Sequence, residues 1–322
     1  MAPCTETNGF PHSDFEVKNG LLNLADPATK NGVLEPEAQD GKAGKTPAFD
    51  HNDYNSHLRE LEQDPDIHLQ DLRERSWDSV LSKEFIMRMH NGIYANEKKG
   101  SRSWRGAVLM KDSISLANYQ RLLQRLKPGT IFDLGTAGGG SALWFADQCR
   151  ALRLNTKVIT LDIVDMRAAE VKQLHQDEGI EFVICDVTKA FGQLKTLHLP
   201  KPWLVSDDCH VDSKKLIAEF EKLGMDQGDY ILFEDTHLAT ADECGMNADK
   251  PEEYTCDHFA IGKQTVMKNA MMERADDYKI DTDIQDCYGY NGARYVNSVF
   301  VRVTKAVPSL DSSCGDKMSK VI

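Results

Sequence analysis

Apolar residues in the middle of the chain gather into five short runs, at 131–134, 158–161, 182–185, 203–206 and 230–233. Each run carries or meets an acid: Asp133, Asp162, Asp186, Asp207, and the pair Glu234 and Asp235. Runs of this length, rich in β-prone residues and separated by helix-length stretches, predict parallel strands of an α/β sheet buried on both faces. Elsewhere the spacing turns helical. Leu116, Tyr119, Leu122, Leu123 and Leu126 share one face of a helix over 115–126, which Lys127, Pro128 and Gly129 stop. Residues 142–152 and 212–223 are amphipathic in the same way, the latter capped by Asp212 or Ser213 and closed by Gly224 and Gly228; 257–274 forms a further helix. Upstream, Leu72, Trp77, Val80, Leu81, Phe85 and Ile86 recur at helical spacing over 68–88, a lead-in expected to cover one side of the sheet. Two late strands, at 278–283 and 295–303, are joined by a loop over 284–294 without a helix, which predicts an antiparallel pair at a sheet edge.

Ligands of such sheets bind beyond the carboxyl ends of the strands, where the acids lie. The first run leads into a glycine-rich turn, Gly135 to Ser141. Its glycines let the backbone turn tightly and approach a ligand, and the helix it opens offers unpaired N–H groups. In a dinucleotide fingerprint the second position would be glycine; here it is Ala137, so the turn suits a cofactor without phosphates better than a pyrophosphate. Asp162 suits the two hydroxyls of a ribose, because an ionised carboxylate accepts two hydrogen bonds, and Asp186 can accept from an adenine amino group. Together they describe an adenosine without phosphates, the shape of S-adenosyl-L-methionine.

The 322-residue chain has a formal net charge of −13 and a sequence pI near 5.2, with no basic cluster interleaved with aromatics, so nucleic acid is not an expected partner. Residues 1–56 are rich in Asn, Gly, Pro, Asp, Glu and Lys and lack a sustained apolar period. They predict a disordered tail, with an arm docked on the domain or on a partner subunit as the alternative, which leaves a homodimer open. The expected division is this tail, a helical lead-in and cap at 57–127, a cofactor-binding core at 128–305 and a flexible C-terminal tail at 306–322. The eight cysteines are scattered, with no C-x-x-C pair, no signal peptide and no long apolar segment. These features predict a soluble, cytoplasmic, reduced protein without a membrane partner.

Asp133-x-Gly135 leading to Gly139, Gly140 and Ser141, followed by Leu143, Trp144 and Phe145, then Asp207-x-x-His210, then Gly228 to Asp235, resemble the cephalosporin hydroxylase and rhamnosyl O-methyltransferase family. Trp104-x-Gly106 with Lys111 is similar to the segment that precedes that family's first strand. The similarity covers about residues 104–304. It implies an α/β class I methyltransferase fold, a seven-stranded Rossmann-like sheet with helices on both faces and a C-terminal antiparallel strand pair, that binds S-adenosyl-L-methionine. By the same resemblance the motif acid Asp133, with Gly135, Gly139 and Ser141, belongs to the methionine end of the cofactor site, and Asp162 holds the ribose. An implied Mg²⁺ ion corresponds to Asp207, Glu234 and Asp235. Three carboxylates converging without basic neighbours repel unless a cation joins them, and hard oxygen donors suit Mg²⁺. Asp208, where the family often has an amide, leaves that ligand set ambiguous, since it can join the metal shell or face solvent.

Methyl transfer from a sulfonium needs the acceptor deprotonated and aligned in line, and a metal chelating two acceptor oxygens would serve both ends. His210 and His237, just past the acids, are candidate bases. Lys111 is a candidate base or an anchor for an anionic acceptor. The expected function is an S-adenosylmethionine-dependent O-methyltransferase acting on a hydroxyl or carboxyl group of a small molecule. One alternative is the oxidation for which the family is named, disfavoured because no facial-triad spacing and no flavin or haem motif is evident. The other is a binding protein that retains the fold without turnover.

Overall fold

In the computed structural model, which describes residues 66, 68–77, 103–111, 113–189, 191, 194–209, 211–236, 258–287, 289–291 and 297–306, the five apolar runs are adjacent parallel strands of one eight-stranded sheet. The elements in chain order are β1 (Leu69–Asp71), β2 (Ser103–Trp104), β3 (Ala107–Val108), α1 (Ser113–Leu126), β4 (Thr130–Leu134), α2 (Gly140–Ala151), β5 (Lys157–Asp162), α3 (Ala169–Asp177), β6 (Glu181–Ile184), β7 (Trp203–Asp207), α4 (Ser213–Leu223), β8 (Tyr230–Glu234), α5 (His258–Met272), β9 (Tyr278–Asp281), α6 (Thr282–Gln285) and β10 (Asn297–Arg302). The sheet order is β1-β9-β10-β8-β7-β4-β5-β6. β4 pairs in parallel with β5 on one side and β7 on the other, so the order reverses there and opens a crevice above β4 and β7.

All residues of β4, β7 and β8 are buried, as strands covered on both faces require. Strand alternation sends Ile131, Leu204, Leu232 and Val299 to a core with Tyr119, Leu122 and Phe145 of α1 and α2. It sends Phe132, Val205, Ile231 and Phe233 to a second core with Phe220 of α4 and Met267 of α5. The α4 helix is capped by Asp212, whose side chain accepts from the N–H groups of Lys214 and Lys215, which decides between the two caps read from the sequence.

Two sequence expectations need correction. The lead-in does not begin as a helix: Leu69–Asp71 is a strand paired antiparallel with β9, and Asp71 then caps a single 3₁₀ turn at Leu72–Glu74. The open edge of β9 supplies unpaired backbone groups that outweigh a helical spacing of side chains; residues 78–88 lie outside the described residues. The late strand pair is antiparallel as expected, but it is joined through the short helix α6 rather than by a loop without a helix, and β10 sits between β8 and β9, so the edge strand is β1, which makes the sheet eight-stranded where seven were expected. The expected tail at 1–56 and positions 307–322 also lie outside the described residues. Among the described residues, no helix is long and apolar enough to cross a membrane.

Candidate active site

The glycine-rich turn joins β4 to α2 above the crevice. Gly139, at φ 83, is the N-cap of α2 and provides no side-chain cap, a left-handed geometry that a Cβ would strain. Asp133 lies beneath it, fully buried. Its Oδ2 accepts from Ser141 Oγ at 2.8 Å and Thr160 Oγ1 at 2.9 Å. Its Oδ1 is buried and has no hydrogen-bond partner among the described residues. Burial pushes the carboxyl up against the pull of Lys111. A half-satisfied buried carboxylate is costly, and a cationic donor is its natural complement.

Asp162 ends β5 and clasps the turn: Oδ2 accepts from the Ala137 N–H at 3.0 Å, and Oδ1 from the Ile163 N–H at 2.7 Å. Its remaining lone pairs are the ones a ribose diol would use. Just beyond it Ile163, Val164 and Met166 are exposed apolar residues, as is Val108 of β3, which packs on the turn at Gly138 and Gly140. Asp186, expected to accept from an adenine amino group, makes local bonds. It lies past the end of β6, and its Oδ1 accepts from the Thr188 N–H and hydroxyl at 3.0 and 2.7 Å while Lys189 pairs with Oδ2. Those bonds hold it at about 2 and commit it to its own turn.

The expected metal triad is divided by strand alternation. Asp207 pairs in register with Phe233, so its side chain shares the face of Phe233, toward α5. There Lys263, buried on α5, approaches Asp207 Oδ2 at 3.3 Å and donates to its backbone carbonyl at 3.2 Å. Glu234, one position on, points to the opposite face and meets Lys111, whose Nζ lies 2.5 Å from Glu234 Oε1 and 3.2 Å from Asp208 Oδ2. The Tyr119 hydroxyl donates to the same Glu234 oxygen, and Ser206 Oγ lies 3.1 Å from it. Asp207, Glu234 and Asp235 are therefore not one ligand set, and the absence of basic neighbours assumed from the sequence is wrong: two buried lysines stand among the acids. Among the described residues, no group of three or more His, Cys, Asp or Glu side chains is placed to hold a metal ion.

The surroundings of Lys111 favour its charged form, and so the anchoring role over the base. Burial would lower its proton affinity, but Asp208, Glu234 and Asp133 outweigh burial and hold it well above the ordinary lysine range. Lys263 is raised in the same way by Asp207, Asp235 and Asp208. Burial, Glu234 and Asp235 push Asp208 well up against the pull of Lys111. Asp235, directly after β8, has φ 55, a left-handed backbone that a non-glycine residue adopts at a cost and that often marks a functional position. The candidate bases His210 and His237 lie outside the described residues. Sequence reasoning missed Lys263, Tyr119 and Ser206. Lys263 had a readable signal, because it shares a helical stripe with the buried Met267, Ala270 and Met271.

The sheet order and the glycine turn define a class I methyltransferase fold. The sequence matches the family model for rhamnosyl O-methyltransferase/CmcI over residues 97–295, and the chain belongs to this family of S-adenosylmethionine-dependent O-methyltransferases. The rhamnosyl O-methyltransferase of Mycobacterium leprae (strain TN) is 27% identical over 156 residues, 46% of this chain and 66% of that protein, just under two thirds of its length. The rhamnosyl O-methyltransferase of Mycobacterium tuberculosis (strain ATCC 25618 / H37Rv) is 24% identical over 211 residues, 63% of this chain and 80% of that protein. A solved Mg-SAM form of CmcI is similar over 72% of this chain and 88% of its own, at 20% identity and a TM-score of 0.45.

Proposed function

We propose that the protein transfers the methyl group of S-adenosyl-L-methionine to a hydroxyl oxygen of a small molecule, with a sugar hydroxyl favoured by the names of its relatives. The observation that carries the reading is the buried, half-satisfied carboxylate of Asp133 beneath an uncapped helix start. A cationic amine can complete Asp133, and the carboxylate of the same amino acid can take the N–H groups of α2. Asp162 takes the ribose, and Ile163, Val164 and Met166 offer an apolar surface to the adenine. The acceptor oxygen attacks the methyl carbon in line, the carbon–sulfur bond breaks, and neutral S-adenosylhomocysteine leaves; the acceptor proton goes to a base for which His210 and His237 are the candidates. Lys111 stays charged and holds Asp208 and Glu234 in place.

Replacing Asp162 with Ala should weaken cofactor binding by about 10- to 100-fold, since each charge-assisted hydrogen bond is worth roughly 1.5–3 kcal/mol. Isothermal titration with S-adenosylmethionine measures it. Wild-type binding no tighter than millimolar, or an unaffected variant, would sink the assignment. Methyl incorporation from labelled cofactor into a panel of sugars, diols, phenols and carboxylic acids names the acceptor, and an oxygen-dependent product without methyl incorporation would favour the oxidation alternative.

The Mg²⁺ part of the reading rests on charge: Asp133, Asp207, Asp208, Glu234 and Asp235 interact with two described ammonium groups, Lys111 and Lys263. Oxygen donors in such excess suit a divalent ion, but Asp208, Glu234 and Asp235 form no ligand set as they stand, so an ion would have to draw them together in place of the Lys111 ammonium, with Asp207 left to Lys263. When bound, such an ion would lower the pKa of the acceptor hydroxyl. Transfer should fall in EDTA and return with Mg²⁺, Asp208→Asn should reproduce the chelated behaviour, and Asp207→Asn should keep the metal response. Full activity in EDTA would reject the metal and leave proton removal to the chain alone.

A further inference from the structure

We propose that His175 is a positioning residue for the cofactor site, tying the glycine turn to the loop after β5 so that the two ends of the site form together; this rests on the cofactor reading above. His175 is a buried residue of α3 that neither the sequence motifs nor the proposed chemistry uses. Its Nε2 lies 2.9 Å from the Gly139 carbonyl, and its Nδ1 lies 3.0 Å from an Arg167 guanidinium nitrogen. A guanidinium only donates, so Nδ1 accepts, the proton sits on Nε2, and Nε2 donates to Gly139. That carbonyl belongs to the left-handed N-cap of α2, so the ring anchors the turn at the residue where it enters the helix, while the N–H groups of the helix start keep no side-chain cap.

Arg167 is itself fixed. Its guanidinium lies 3.8 Å from the Phe182 ring centroid and bonds Asp165 at 2.9 and 3.1 Å. The loop from Ile163 to Arg167 is thus clasped to the glycine turn twice, by Asp162 on the Ala137 N–H at one end and by Arg167 through His175 on Gly139 at the other. Between the clasps lie Ile163, Val164 and Met166, the exposed apolar residues assigned to the adenine. A turn that moves would therefore carry the adenosine wall with it.

The relay has a pH sense. The charged groups facing the ring are Arg167 and Asp165 from the loop, Asp165 being paired also with Lys172 of α3 at 3.1 Å, while the turn presents the Gly139 carbonyl. Burial keeps the ring's proton affinity below the ordinary histidine range. A second proton would place an N–H on Nδ1 against the Arg167 guanidinium, so protonation breaks that clasp. The neutral ring is the binding-competent form, and its contribution is lost as the pH falls.

The test is the affinity for S-adenosylhomocysteine by titration calorimetry across about pH 8 to 4.5, a range that extends below that of an ordinary histidine because burial lowers this ring. Wild-type affinity should fall by about tenfold toward the acid end, and His175→Phe should bind at least about tenfold more weakly at the alkaline end with a flat profile, the loss of one or two hydrogen bonds. His175→Gln can still donate to Gly139 and accept from Arg167; it should restore affinity at alkaline pH without restoring the pH dependence. A structural role alone would not separate those two properties. If His175→Phe does not fold by circular dichroism, Arg167→Met leaves the ring in place and should weaken binding through the same relay. Equal affinity of wild type and variants across the range overturns the inference while the cofactor reading stands. Absence of wild-type binding at every pH overturns both.

Discussion

Gly140→Ala should cost more activity than any other single methyl group added to this site. A Cβ at Gly140 would meet the Val108 carbonyl oxygen, with the Val108 carbonyl carbon at 2.6 Å and the Leu109 nitrogen at 2.8 Å. All three are backbone atoms, so no rotamer change relieves the contact and the β2–β3 hairpin must lift. That hairpin is held at its far end, where Trp104 Nε1 donates to Asp147 at 2.7 Å and Arg105 pairs with Glu178 at 2.6 Å. It turns at Arg105 and Gly106, both at positive φ, and three residues past Val108 it delivers Lys111 to Asp208 and Glu234. Overpacking of this kind costs about 1–3 kcal/mol of stability. A catalytic group displaced by about 1 Å loses on the order of 10²-fold in rate, so turnover should fall far more than the melting temperature does. A variant with wild-type melting and wild-type transfer would show that the hairpin does not set the site.

The Gly140 contact also separates what a sequence states from what it leaves out. A run of three glycines before a helix reads as room for a ligand, yet at Gly138 and Gly140 the approaching atoms are those of Val108, a residue about thirty positions upstream. The strands and their terminal acids were legible because parallel strands buried on both faces leave continuous apolar runs. The class I plan followed from the resemblance to a family, while the order of the strands could not be read from the runs themselves, which do not say which strands pair. The placement of the acids around the sheet was legible in part and overlooked: a strand alternates its side chains, so the register that pairs Asp207 with Phe233 puts Asp207 and Glu234 on opposite faces. Lys263 was readable as a lysine on a buried stripe, but its pairing with Asp207 was hidden by distance, since only folding brings α5 beneath β7. β1 was misread because a strand of three residues has no period of its own and exists by virtue of the edge it covers.

Lys263→Met should be the most destabilising change in the described part of the protein, and its effect should depend on pH in a way that identifies the partner. The ammonium is buried on α5 and stands at 3.3 Å from Asp207, which is fully buried and raised by burial even with the lysine present. Methionine keeps the volume of the stem and removes the charge. The carboxylate is then left in an apolar surround with, among the described residues, only the Cys209 N–H, at 3.0 Å, as a hydrogen-bond donor. Breaking one member of a buried pair costs about 3–5 kcal/mol near neutral pH. The folded-state pKa of Asp207 rises further in the variant while its unfolded value stays near the usual ~3.9. The folded form then holds more protons than the unfolded one between those two values, so the variant loses stability as the pH rises through that window and approaches wild type as it falls. Urea denaturation of both proteins from about pH 4.5 to 8 measures this, and the gap should be smallest at the acid end. Adding Asp207→Asn to Lys263→Met removes the stranded charge and should recover much of the loss and flatten its pH dependence. A gap under ~1 kcal/mol at neutral pH would show that the pair is solvated rather than buried, and a double variant no more stable than Lys263→Met would show that the lysine answers to Asp235 or Asp208 instead.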